Sequence, residues 1–228
     1  MTRLTSLNSS TVQSAVYDKL KKNIITLTML PGTVISTQDI ADEMNVSRTP
    51  VREAFLKLQS EDLVETIPQK LTIVSRINLN LVEQERFLRE SLEAATIPLF
   101  LSRCTPEVIA ALQENVRMQK RCWTQKDAAR FIEYDNAFHG MIFETAKQQL
   151  SWRVITHHNG HYNRIRTLTV RDDEIIKASI LQHEYMVELM EKGEEQALCE
   201  EFKIHVRKLH REKEDLVRQY GDYFTEEI

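Results

Sequence analysis

Apolar residues recur at the spacing of one helix face from Thr11 onward: Val12, Val16, Leu20, Ile24 and Leu27. Pro31-Gly32 stops that run and turns the chain. Thr37 is placed to cap a short second helix carrying Ile40, Ala41 and Met44. Asn45 suits a left-handed turn, and Ser47 suits the cap of a third helix in which Pro50 lies in the tolerated first turn. That helix turns Val51, Ala54, Phe55 and Leu58 inward and runs to about Glu61. Two β-prone runs follow, Leu63 to Ile67 and Leu71 to Val74, parted by Pro68-Gln69-Lys70 as in a hairpin. Three helices and a hairpin predict a winged helix-turn-helix over 11–75, behind a Ser/Thr/Asn-rich tail at 1–10 expected to be disordered.

Beyond a short linker at 76–80 the 3.6-residue period continues almost without interruption. Helices are expected near 81–103, 106–122, 126–146, 150–169, 172–192 and 194–220, with breaks at Thr105-Pro106 and Lys192-Gly193. The chain is therefore expected to be mainly α, with a C-terminal all-α bundle over 81–220 large enough for its own core.

Composition narrows this picture little. Five glycines in 228 residues argue against a glycine-rich loop scaffold. No apolar run reaches the roughly 18 residues of a membrane helix, and no secretion signal opens the chain. Cys104, Cys122 and Cys199 are odd in number and widely spaced, which points to a reducing, cytoplasmic setting. The net charge of −4 does not advertise nucleic acid. Residues 1–76 hold 9 basic and 8 acidic side chains, the remainder 21 and 26, so any DNA contact must come from local placement.

Such placement exists at the start of the third helix. Arg48 and Arg52 are one turn apart and face away from Val51 and Phe55. Arginine reads guanine edges in the major groove, while Ser47, Thr49 and the free helix-start N–H groups suit phosphate. Gln38 is placed to touch backbone or a base edge, and Lys70 at the hairpin tip to reach phosphate or the minor groove. An isolated Arg pair more often only solvates a helix; the helix-turn-helix order around this one makes double-stranded DNA the expected partner.

A second constellation lies in the helical part. Asp135 and His139 share a helix face with Ile132, Ile142 and Ala146. His183 sits on the stripe of Ile180, Val187 and Met190, and His205 between Phe202 and Leu209. A buried ionisable group is costly without a partner, so these four either hydrogen-bond separately in the core or converge on one divalent cation. Arg89 and Glu93 lie on one face of the first bundle helix, as a structural ion pair or as ligand-binding groups. His157, His158 and His161 read as pocket lining or surface.

The string Val46-Ser47-Arg48-Thr49-Pro50-Val51-Arg52-Glu53-Ala54, followed by Leu63-Val64-Glu65, resembles the GntR family of bacterial transcription regulators over about residues 11–75. The resemblance implies operator contacts by Ser47, Arg48, Thr49 and Arg52. Gln38 stands where many members have arginine, and no glycine lies near Leu71, where the wing usually has one. Residues 80–215 resemble the FCD ligand-binding domain of the FadR subfamily through Arg89-x-x-Leu92-Glu93, Asp135-x-x-x-His139, His183 and His205. That likeness implies a divalent metal, zinc or nickel, on Asp135, His139, His183 and His205. It also implies a small organic acid effector held partly by Arg89 and Glu93, and a homodimer on an inverted-repeat operator. The acyl-CoA-responsive member lacks the Asp/His set, which disfavours that effector class. The function expected is a regulator, acting as a repressor and not an enzyme. The alternatives are a metal-dependent hydrolase with Glu93 as base, or a DNA-binding protein with a purely structural metal.

Overall fold

A computed structural model of the chain describes residues 9–67, 71–207 and 213–225 and divides into two units. One holds the described residues up to Asn80 together with those from Val217; the other is Leu81–Leu216.

The first unit runs α1 (Ser9–Ile25), β1 (Val34–Ile35), α2 (Thr37–Met44), α3 (Arg48–Gln59), β2 (Val64–Ile67) and β3 (Leu71–Val74). The strands form an antiparallel sheet in the order β1-β3-β2, with Val64 opposite Val74, Ile67 opposite Leu71 and Val34 opposite Ile73. The hairpin was expected; β1 was not, because two residues carry no alternation and only the neighbouring strand defines them. Val16, Leu20 and Ile24 of α1 close on Val51, Ala54 and Leu58 of α3 in one core. Helix α1 already begins at Ser9, within the expected tail, whose first eight residues lie outside the described ones. Lys70 also lies outside them.

Local chemistry explains the turn between α2 and α3. Ser36 caps α2, its hydroxyl accepting from the N–H groups of Gln38 and Asp39 at 3.2 and 3.3 Å, so Thr37 becomes the first helical residue. Asn45 ends α2 in the left-handed region at φ 53°, ψ 47°. Ser47 then stands extended before α3, and its side chain makes no capping hydrogen bond.

A polar cluster ties α1 to the end of α3. The Tyr17 hydroxyl donates to Glu61 Oε1 at 2.5 Å, Lys21 Nζ pairs with Glu61 Oε2 at 2.6 Å, and Lys57 Nζ lies 3.5 Å from the Tyr17 ring centroid. Glu61 is buried.

The expected linker is itself engaged. Ile77 is fully buried and pairs in parallel with Phe224, its N–H donating to Tyr223 O at 2.7 Å and its carbonyl accepting from Thr225 N–H at 3.0 Å. For this reason the residues from Val217 group with the first unit, and the helical unit ends before residue 220.

The second unit contains most of α4 (Leu79–Leu101), then α5 (Pro106–Thr124), α6 (Ala128–Thr145), α7 (Gln149–His157), α8 (Gly160–Thr169), α9 (Asp173–Lys192) and α10 (Glu195–Arg207). Helix α11 (Lys213–Gln219) follows. Thr105, Asp127 and Asp172 accept hydrogen bonds from first-turn N–H groups, and Gly193 closes α9 at φ 68°. The core gathers Phe100, Leu112, Phe131, Phe138, Met186 and Phe202. At Gly140 a Cβ would sit 3.2 Å from Trp152 Nε1, so the absence of a side chain lets the indole lie against α6.

The single helix expected over 150–169 is two. The chain breaks at His158 and Asn159, and the Glu85 carboxylate accepts the N–H groups of His161 and Tyr162 at 3.3 and 2.6 Å, capping α8 from α4. The helix expected over 194–220 is described as α10 and α11, with 208–212 outside the described residues. Among the described residues, no helix is long and apolar enough to cross a membrane.

Replacing Glu61 by Ala removes the acceptor of the buried Tyr17 hydroxyl. We expect hydrogen-exchange protection across α1 and α3 to fall by about 1–3 kcal/mol. Unchanged protection would show that the cluster contributes nothing.

Candidate functional site

The amino-terminal turn of α3 is built as an exposed cationic edge. Ser47, Arg48, Thr49 and Arg52 are exposed, whereas Pro50, Val51, Ala54 and Phe55 are buried. Among the described residues neither Arg48 nor Arg52 has an ion-pair partner, so both guanidinium groups are available to an external acceptor. The Ser47 hydroxyl, unused as a cap, is available beside the unsatisfied N–H groups of the helix start. Gln38 is exposed on α2, and its amide nitrogen donates to Asp42 Oδ1 at 2.9 Å, which orients its oxygen outward from that bond.

In the helical unit, Asp135 and His139 of α6, His183 of α9 and His205 of α10 meet at one point. Each offers one ligand atom, and these atoms all lie within 4.8 Å of one another. The imidazole centroids form a triangle of 5.5, 4.6 and 5.4 Å. Phe138 stacks on His183 at 4.4 Å and fixes its plane. His139 and His183 are fully buried, Asp135 is 4% exposed and His205 is half-buried. The Nε2 atoms of His139 and His183 are buried without a hydrogen-bond partner, and each lies 3.8 Å from an Asp135 oxygen. Buried polar atoms are normally satisfied. Two orphan imidazole nitrogens aimed past a carboxylate toward a third histidine therefore fit a divalent cation, for which N₃O is a familiar donor set.

The groups around this set are polarised toward it. Arg166 of α8 donates to Asp135 Oδ2 at 2.5 Å and is braced by Asn136 and Asn163. Arg89 Nε donates to Glu93 Oε1 at 2.8 Å, and the same oxygen lies 3.0 Å from His139 Nδ1. Arg89 Nη2 and Glu93 Oε2 are buried without a hydrogen-bond partner, so the pair keeps one unused donor and one unused acceptor. Burial works against the Glu93 charge, but Arg89 and His139 outweigh it and hold the carboxyl at about 2. Burial likewise opposes ionisation of Asp135, yet Arg166 with the surrounding cations keeps it well below the carboxylate range. Burial pushes His183 down to about 3 and His205 well below its ordinary value. Beside Asp135 and His205 a cavity of about 30 Å³ is lined by Phe131, Tyr162, Arg166, Thr169 and Ser179, among others.

Sequence patterns thus singled out the four convergent residues and the Arg89/Glu93 pair, but missed Arg166 and the two glutamines that face the histidine rings, Gln119 beside His183 and Gln182 beside His205. Gln119 left a readable trace: with Asn115 it forms a polar i,i+4 pair inside the apolar stripe of Leu112 and Val116. Arg166 left none, since α8 is buried over nearly its whole surface without apolar periodicity. His157 and His158 stack edge-on at 4.7 Å at the end of α7, and His161 Nδ1 lies 2.9 Å from Arg164 Nη2. None of the three belongs to the convergent group.

A winged helix-turn-helix with an exposed arginine edge, joined to a helical unit with a buried polar centre, defines a DNA-binding regulator. The chain belongs to the GntR family: the model of bacterial regulatory proteins, gntR family, matches residues 12–74, and that of the FCD domain matches residues 86–208. It is 27% identical to the HTH-type transcriptional repressor RspR of Escherichia coli K12 over 228 residues, all of both chains. A regulator from an unstable DNA locus of Streptomyces ambofaciens is 28% identical over 88% of this chain and 84% of its own. Among solved structures, E. coli McbR/YncC shares the fold at a TM-score of 0.77 and 18% identity, covering 92% of this chain and 98% of that one. The families and relatives are transcriptional regulators, not enzymes. Glu93, the candidate base of the hydrolase alternative, is instead ion-paired to Arg89.

With a chelator present, stability is expected to fall as pH drops below 6.5. The unfolded chain then binds protons that the folded protein refuses at His183 until about pH 3. The loss approaches about 1.4 kcal/mol per pH unit for each such histidine. Denaturant unfolding between pH 7 and 5, read by Trp123 and Trp152 fluorescence, measures it; a flat profile would contradict the buried neutral state.

Proposed function

We propose that this regulator is a homodimeric repressor whose operator affinity is relieved by a small organic acid bound at a divalent metal, zinc or nickel. The observation that carries the metal is the pair of buried, unpartnered Nε2 atoms of His139 and His183 converging with Asp135 and His205. The ion would supply a Lewis-acidic centre on which a carboxylate can bind, and Arg89, with its unused Nη2 donor, would offset a second charge. The cavity beside the site is about the size of one water. An acid that needs more room than this would favour an arrangement in which the lining side chains part, and such a preference would couple its binding to DNA affinity. Repression is supported by the name of the full-length E. coli relative, a transcriptional repressor. Dimerisation follows from the short reach of one recognition helix, which reads only a half-site.

Operator reading falls to Ser47, Arg48, Thr49 and Arg52, with Gln38 restricted by its bond to Asp42. Lys70 is proposed for backbone or minor-groove contact from sequence alone. Replacing Arg48 or Arg52 by Ala is expected to weaken operator binding by at least about 1 kcal/mol at fixed salt, measured by fluorescence anisotropy. Unchanged affinity in both variants would remove the DNA-reading role of this helix edge.

The small size of the cavity also favours a second reading, a structural metal in a constitutive DNA-binding protein. His183→Ala separates the two. Loss of bound metal and of response to an organic-acid panel, with operator affinity retained, is the outcome expected of a sensor. Unfolding of the helical unit on metal loss would establish the structural role instead.

A further inference from the structure

Building on the metal centre proposed above, we infer that Gln119 and Gln182 are positioning residues that select which ring nitrogen of His183 and His205 faces the ion. His183 Nδ1 lies 2.7 Å from Gln119 Oε1, and His205 Nδ1 lies 3.1 Å from Gln182 Oε1. Each glutamine is held by its other end: Gln119 Nε2 donates to Asn115 Oδ1 at 2.8 Å, and Gln182 Nε2 donates to Glu201 Oε1 at 3.0 Å.

At Gln182 the second contact sets the direction of the first. A carboxylate only accepts, so Gln182 turns its NH₂ toward Glu201 and its oxygen toward His205. An amide oxygen also only accepts, so the facing Nδ1 must carry the ring proton. A neutral imidazole has one such proton, and Nε2 is left with its lone pair. At His183 that lone pair belongs to the buried, unpartnered Nε2 that lies 3.8 Å from Asp135 Oδ1. A neutral histidine in water prefers the opposite tautomer, so the protein reverses an intrinsic preference at His205, and at His183 with the Gln119 and Asn115 amides oriented as they stand.

Neutral amides suit this task better here than carboxylates would. The pocket already buries two negative charges, Asp135 and Glu93, each matched by an arginine. A further buried carboxylate would lack a counter-charge and be costly. Glutamine fixes the tautomer without adding charge, and at His139 the Glu93 carboxylate already lies 3.0 Å from Nδ1. Glu201 and His205 lie one turn apart on α10, so the chain of contacts leaves that helix, passes through α9 and returns.

The test uses intact protein with ¹⁵N-labelled histidine and long-range ¹H–¹⁵N spectra in chelator, followed by zinc titration against a chromophoric competitor. His183 and His205 are expected in the Nδ1–H form. Gln182→Leu should move His205 toward Nε2–H while His183 is unchanged, and should weaken zinc binding by about 10- to 100-fold. Gln182→Glu keeps an acceptor facing Nδ1 and should retain the Nδ1–H form, at the cost of the contact with Glu201. Gln182 is half-buried and is the safer variant; Gln119→Leu, at a fully buried position, is the second. The inference is overturned if His205 keeps Nδ1–H and zinc affinity is unchanged in Gln182→Leu, or if both histidines are Nε2–H in the parent protein. A parent protein that binds no zinc would refute the metal reading instead, and the spectra in chelator would still decide the tautomers.

Discussion

The carboxylate of Asp135 sits inside a helical bundle, and the cost of keeping it ionised there organises the helices around it. An isolated buried carboxylate would cost several kcal/mol. Arg166 offsets that cost through a direct contact, but Arg166 is itself buried and needs acceptors for its remaining N–H groups, which Asn136 and Asn163 provide. That requirement holds α8 against α6. Helix α8 then lies almost wholly inside the unit with polar side chains along it, so its first turn has little access to water. Glu85 reaches across from α4 to accept two of its amide protons. One buried charge thus sets demands on α4, α6 and α8 that apolar packing alone would not impose.

The two sites use arginine in opposite ways, and the difference fits the roles proposed for them. Arg89 and Arg166 are buried and committed to internal carboxylates, where the low dielectric makes each contact strong and each orphan atom costly. Arg48 and Arg52 are exposed and, among the described residues, uncommitted, on a helix whose opposite face is locked into the core by Val51 and Phe55. The locked face fixes where the free guanidinium groups project. The Tyr17–Glu61–Lys21 cluster sits at the far end of α3 and braces it against α1 without drawing on either arginine.

Features set by neighbours in sequence were legible; those set by neighbours in space were not. The helices of the first unit follow from apolar spacing, the Ser36–Thr37 start and the left-handed Asn45. The burial of the Asp/His set was legible because an i,i+4 pair and two further histidines fell on apolar stripes; their convergence was implied only by the family resemblance. Strand β1 is two residues long and exists through its pairing with β3. The break before α8 had a local sign in Asn159-Gly160, but helical periodicity on both sides masked it. The engagement of Ile77 by Phe224 is a single parallel bridge between residues far apart in the chain, and no local pattern encodes it.

The charge count of the pocket connects these strands of argument. Asp135 with Arg166 and Glu93 with Arg89 are two neutral pairs, and His183 and His205 are neutral because burial resists their protonation. The protein side of the site is therefore already balanced. A divalent ion placed on Asp135, His139, His183 and His205 would add two positive charges that nothing in the pocket offsets, in surroundings where screening is weak. Three histidines and one paired carboxylate leave that charge largely intact, and two glutamines hold the rings without reducing it. Such a centre gains most from an anionic ligand and least from a neutral one. On the proposed reading, an ion held here would therefore favour acids over neutral ligands.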